Sequence, residues 1–204
     1  LRRFCFFTIL IVLSTINISG FEAVSYKNLQ FDMINRQVTF YSCGASIIQL
    51  IVALYSSVHL TQEQIMSIII ANSNVRPRGG MSFLDIRDFL EKYNILTAGV
   101  RIANRNISLL EEKFTLPLII HYPQPFNNSN IDGHFVLLYH ISNDNLFFIL
   151  DPFFGRKVLT ADQFRDNWSG YFMYFSSRFP ARKFEHLIIQ EERRHGLLRN
   201  FFNR

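Results

Sequence analysis

Residues 42–55, Ser42-Cys43-Gly44-Ala45-Ser46-Ile47-Ile48-Gln49-Leu50-Ile51-Val52-Ala53-Leu54-Tyr55, decide how the chain reads. A polar residue, a cysteine and two small residues lead into an apolar run long enough for about three turns of buried helix. Ser42 is the expected N-cap, its oxygen accepting from an amide one turn on. Cys43 then falls in the first turn, where unpaired N–H groups and the helix dipole favour a thiolate. The other reading of Cys43 is a small buried apolar residue, as most free cysteines are.

Working outward, Arg36-Gln37-Val38-Thr39-Phe40-Tyr41 leads into this helix, and Tyr26 to Phe31 reads as an extended approach segment. Downstream, Thr61-Gln62-Glu63-Gln64 is a capping box that opens a helix through about Ala71. Asn72 to Gly80 reads as a flexible loop. Ser82 opens a further helix to about Tyr93, Leu96 to Ile102 reads as a strand, and Ser108 is expected to cap a short helix. From Leu116 the pattern changes to sheet. Leu116–Tyr122, Gly133–Ile141 and Leu146–Asp151 are apolar runs separated by turn-rich segments. Asp151 to Gly155 reads as a turn, Thr160 as the cap of a helix to about Asn167, and Gly170 to Phe175 as a last strand. Helices first and antiparallel strands afterwards predict an α+β fold, with N-terminal helices packed on a C-terminal antiparallel sheet.

The 204 residues suit one domain with modest extras. Leu1-Arg2-Arg3 followed by an apolar run to Leu13 reads as a signal peptide or N-terminal anchor over residues 1–23. Residues 24–178 form the expected domain and 179–204 a basic tail. The protein is therefore expected to be exported, to the periplasm or cell envelope. Cleavage would remove Cys5 and leave Cys43 without an internal disulfide partner, which moves Cys43 towards function. The formal charge of +5 sits at the ends: residues 21–175 carry twelve Lys and Arg against thirteen Asp and Glu. A near-neutral body argues against nucleic acid as a partner. Membrane association is expected through the N-terminal segment or the tail, although a solvated tail, interrupted at Gly196, is the preferred reading.

A cysteine nucleophile needs a base, something to orient that base, and donors for the oxyanion. His134 begins a strand and Asp151 ends the next one. If those strands pair as a hairpin through Ser142-Asn143-Asp144-Asn145, their far ends come together, in the arrangement by which a carboxylate fixes an imidazole tautomer. Taken singly, His134 reads as a strand histidine and Asp151 as an Asp-Pro turn residue. No other histidine has metal-ligand spacing with Cys43, so neither a metal nor a cofactor is expected.

Gln37, then five residues, then Cys43-Gly44-Ala45, with Gly133-His134-Phe135-Val136 and Leu150-Asp151-Pro152-Phe153-Phe154-Gly155, resembles cysteine peptidase family thirty-nine. These are the bacteriocin-processing, double-glycine-leader peptidases. Gly80-Met81-Ser82-Phe83-Leu84-Asp85 and Trp168-Ser169-Gly170 also resemble family positions, so the similarity covers Tyr26 to Phe175. The resemblance implies a papain-like fold and a cysteine-type peptidase acting on a peptide or protein substrate. It implies Cys43 as nucleophile, His134 as base, Asp151 as orienter and Gln37 as oxyanion donor. Ser42 stands where many transporter-linked members carry an acidic residue, and no nucleotide-binding domain or transmembrane bundle is expected to follow. A stand-alone exported member, working with an export-system partner, is the expectation. The alternatives are a non-cleaving peptide-binding module of the same fold and an acyl transferase.

Overall fold

In chain order the elements are α1 (Cys43–Tyr55), α2 (Gln62–Asn72), α3 (Phe83–Glu91), β1 (Thr97–Arg101), α4 (Ser108–Lys113), β2 (Leu118–Tyr122), β3 (His134–Ile141), β4 (Leu146–Asp151), β5 (Gly155–Thr160), α5 (Ala161–Asn167) and β6 (Tyr171–Phe175). The computed structural model describes residues 30–56, 58–72, 80–123 and 133–176, with Phe184, Glu185, Ile188, Ile189 and Arg193. The signal or anchor over 1–23, Cys5, most of the approach segment, most of the 72–80 loop and most of the tail lie outside the described residues. Among those described, no helix is long and apolar enough to cross a membrane.

Local chemistry starts α2, α3 and α5. Thr61 and Gln64 exchange backbone and side-chain bonds of 2.9 and 3.3 Å. Ser82 with Asp85, and Thr160 with Gln163, form the same reciprocal box. Two expected caps are corrected. Ser42 holds the expected N-cap position, but its hydroxyl makes no cap bond; it accepts from the Thr39 amide at 3.0 Å and donates to the Thr39 carbonyl at 3.1 Å. That turn takes both roles of the oxygen, so the opening amides of α1 have no side-chain cap. Ser108 lies inside α4 and its amide donates to Asn106 Oδ1, while Ile107 holds the cap position.

The six strands form one antiparallel sheet in the order β1-β6-β2-β3-β4-β5. Strand β5 is a further correction: the expected turn ends at Gly155 and the expected helix cap is Thr160, with no element assigned to residues 156–159. Its residues are half-exposed at the sheet edge, so Gly155-Arg156-Lys157-Val158-Leu159 carries little of the burial pattern that marks a strand. Helices α1, α2 and α3 cover one face, where Ile47, Ile51, Ile65 and Phe89 pack with Phe135, Leu137 and Leu150. The other face is closed by Leu110 of α4, Phe164 of α5 and Trp168, packed with Ile120, Val136, Leu138 and Ile149. The Trp168 indole N–H donates to the Tyr171 carbonyl at 2.9 Å. Burial on both faces explains why β3 and β4 read as continuous apolar runs with no alternation.

Candidate active site

Cys43 opens α1, and the loop before it is fastened at several points. Ser46 Oγ of α1 donates to the Asn35 carbonyl. The Gln37 amide donates to the Pro152 carbonyl at 2.8 Å, tying this loop to the residue after Asp151. Gln62 of α2 donates to the Arg36 carbonyl at 2.9 Å and accepts from the Val38 amide at 3.1 Å. The Gln37 side chain, itself buried, donates through Nε2 to the Thr39 carbonyl at 2.9 Å.

The β3–β4 hairpin brings its far ends together. His134 Nε2 lies 2.8 Å from Asp151 Oδ1. An ionised carboxylate can only accept, so Nε2 carries the proton of that bond and Nδ1 is the nitrogen left for Cys43. Cys43 lies near enough to the imidazole for its thiol hydrogen bond and its charge both to favour the imidazolium. Cysteine, imidazole and carboxylate therefore form one connected chain, with Cys43 5% and His134 1% exposed. Among the described residues no group of three or more His, Cys, Asp or Glu is placed to hold a metal ion.

The electrostatics favour a charged imidazole. Burial works against the imidazolium, but the Asp151 hydrogen bond, the hydrogen bond and charge of Cys43, and the charge of Asp151 push His134 up to about 9. Burial likewise opposes the Asp151 carboxylate. The hydrogen bond and charge of His134, the charge of Lys157 and the Phe153 amide nevertheless hold it below its usual range. Oδ1 of Asp151 also accepts from the amides of Phe153 at 2.9 Å and Phe154 at 3.1 Å. Its turn reading and its site reading are thus the same geometry.

Sequence reasoning missed Lys157 and Gln62. Lys157 Nζ sits 3.4 Å from Asp151 Oδ2 and over the Phe154 ring. Had β5 been recognised as the partner of β4, with Gly155 opposite Asp151, Lys157 two residues on would have fallen on the same face. Tyr122, opposite His134 on β2, is the other unforeseen neighbour; burial and then the charge of Asp151 push its phenol pKa up. A cavity of about 660 Å³ lined by His140, Ser142, Asn143 and Phe184 lies by the hairpin turn, at the opposite end of β3 from His134.

Gly133 sets the direction from which His134 enters the strand. Its φ is +129°, and a Cβ there would overlap His121 Nε2. That ring cannot swing aside freely, because its Nδ1 is 2.9 Å from Ser169 Oγ. Gly133→Ala is expected to lose about 1–3 kcal/mol of stability to backbone strain. Displacing His134 by even about 1 Å would lower the alkylation rate of Cys43 on the order of 100-fold. Thermal unfolding and iodoacetamide kinetics check both; wild-type values in the alanine protein would show that the glycine is dispensable.

A helix opening on a cysteine against an antiparallel sheet, with an imidazole and a carboxylate at one end of its inner strands, is the architecture of a papain-like cysteine-type peptidase. The chain belongs to the peptidase C39 family, whose model matches residues 32–179. It is 26% identical over 151 residues to the probable functional amyloid protease FapD of Pseudomonas fluorescens, covering 72% of this chain and 61% of that protein. The chain spans less than two thirds of the length of the curated relatives it matches. In fold it is similar to the peptidase domain of Streptococcus ComA, a bi-functional ABC transporter involved in a quorum sensing pathway. That likeness has a TM-score of 0.58 at 16% identity, over 72% of this chain and 98% of that one. It is also similar to a double glycine motif protease from an AMS/PCAT transporter, solved in complex with its leader peptide. There the TM-score is 0.55 at 22% identity, over 70% of this chain and 89% of that one.

Proposed function

We propose that this peptidase cleaves its substrate through Cys43, His134, Asp151 and Gln37, after small residues such as a Gly-Gly pair, in the cell envelope. The observation that carries the reading is the buried chain from Cys43 through His134 to Asp151. His134 takes the proton of Cys43, and the sulfur attacks the peptide carbonyl carbon. The oxygen gathers negative charge and accepts from the Cys43 amide and from Gln37. An amide nitrogen carries two hydrogens, so Nε2 of Gln37 can bond Thr39 and still donate to the oxyanion. The C–N bond breaks as His134 returns its proton to the leaving amine. Water, deprotonated by His134, then hydrolyses the thioester and restores the thiol.

The preference for small residues follows from access. With the sulfur and imidazole almost closed off, the carbonyl reaches Cys43 only on a chain segment without bulky side chains beside it. The relative solved with a leader peptide, described as a double glycine motif protease, supports the same substrate class. Location in the cell envelope, with an export-system partner, rests on the basic and apolar N-terminal segment.

Cleavage-site profiling on a peptide library, with the Cys43→Ala protein as control, tests the reading. Enrichment of Gly or Ala on the acyl side of the cut is expected. Cleavage after bulky residues would remove the small-residue preference, and cleavage persisting in the control would remove the nucleophile.

A further inference from the structure

The peptide groups on either side of Gln37 are held from outside their own loop. Gln62 Nε2 donates to the Arg36 carbonyl at 2.9 Å, and its Oε1 accepts from the Val38 amide at 3.1 Å. The amide of Gln37 itself donates to Pro152 at 2.8 Å. One side chain, 3% exposed at the start of α2, therefore clamps both peptide bonds of Gln37. The Gln37 side chain is less well held by its own contacts. Nε2 bonds Thr39, while Oε1 is buried with no hydrogen-bond partner among the described residues. The direction of its amide is thus set by its backbone and the Thr39 bond, and that backbone is held by Gln62 and Pro152.

We propose that Gln62 is a positioning residue for the oxyanion site, aiming the Gln37 donor through the main chain. The proposal rests on the oxyanion role given to Gln37 above. Only a primary amide supplies both the acceptor for Val38 and the donor for Arg36 from one planar group. Glutamate keeps the first bond and loses the second; methionine loses both.

The probe is a peptide aldehyde ending in Gly-glycinal. The Cys43 sulfur adds to its carbonyl carbon, the thiol proton ends on the oxygen, and the adduct places that oxygen where the oxyanion forms. Iodoacetamide alkylates the same sulfur by displacing iodide and forms no oxyanion. Aldehyde affinity, read as protection of Cys43 from iodoacetamide, is expected to fall roughly tenfold to a hundredfold in Gln62→Met, with alkylation in the absence of aldehyde unchanged. Gln62→Glu, which preserves side-chain volume but turns a carboxylate oxygen towards the Arg36 carbonyl, is expected to show the same split. Gln37→Ala should lose at least as much, and adding Gln62→Met to it should weaken binding no further. Wild-type aldehyde affinity in both Gln62 variants would overturn the proposal. So would an equal slowing of alkylation in both, or a full additional loss on the Gln37→Ala background. Gln37→Ala binding the aldehyde as tightly as wild type would instead remove the oxyanion role of Gln37, and the proposal with it.

Discussion

The Cys43→Ala protein is expected to fold, to bind substrate peptide and to cleave it on the order of 10⁴–10⁶-fold more slowly than wild type. Cys43 is packed in the cluster of α1, α2 and α3, and alanine fills most of its volume without adding atoms. Unfolding free energy should therefore change by only about 1 kcal/mol. Without the sulfur no thioester forms, and the residual rate comes from substrate placement and the oxyanion donors alone. Progress curves on peptides selected from the library, set beside thermal unfolding of both proteins, make the comparison. Loss of cleavage accompanied by loss of the folded state would not distinguish the sulfur's chemistry from its packing, so retained stability is part of the expected result. Wild-type turnover by the alanine protein would end the case for Cys43.

Asp151→Asn is expected to lower kcat/KM by roughly 10²–10⁴-fold, because the carboxamide neither compels the Nε2–H tautomer nor balances the imidazolium. The variant also leaves Lys157 facing a neutral group at 3.4 Å. A pH profile separates this from simple misfolding. His134 is raised from 6.5 to about 9, so the ion pair exists below that value and is lost as pH rises through it. In Asp151→Asn the alkaline limb should move down towards the ordinary imidazole range. The stability linkage has matching signs. The raised His134 stabilises fully below 6.5 and its contribution is lost as pH climbs through about 9. The lowered Asp151 stabilises fully above its ordinary 3.8 and its contribution is lost as pH falls through its folded value. The difference in melting temperature between wild type and Asp151→Asn should accordingly be widest between about pH 4 and 6.5 and narrow on either side. A flat difference would show that Asp151 contributes by packing or turn formation only.

The helices at Thr61, Ser82 and Thr160 were legible because a capping box is complete within four successive residues and needs no partner from elsewhere. Ser42 looked equivalent, yet its hydroxyl is held by Thr39, a choice made by how the 35–42 loop docks on Pro152 and Gln62. Strand β5 was hidden because an edge strand with charged, half-exposed residues lacks the apolar period that marks a buried one. With it went Lys157, and Gln62 went unnoticed because its first visible role was as a residue of the capping segment.

The chain's own order of residues determined that a cysteine would open a buried helix and that a hairpin would carry His134 and Asp151 to one end of the sheet. Which face they occupy was decided only by the packed sheet. Ile141 pairs with Phe147 and His140 with Phe148, but beyond a bulge at Tyr139 the register shifts, so that Leu138 pairs with Ile149 and Leu137 with Leu150. Continued past Leu150, the shifted register sets Asp151 level with Val136, on the face that also bears His134. In an unbroken ladder Asp151 would stand opposite Leu137 and face the other way, because side chains alternate and a slip of one residue exchanges the faces. Tyr139 at the bulge is buried in the core on the α1–α3 side against Phe148 and Phe184, a placement of the assembled core that no window of sequence contains.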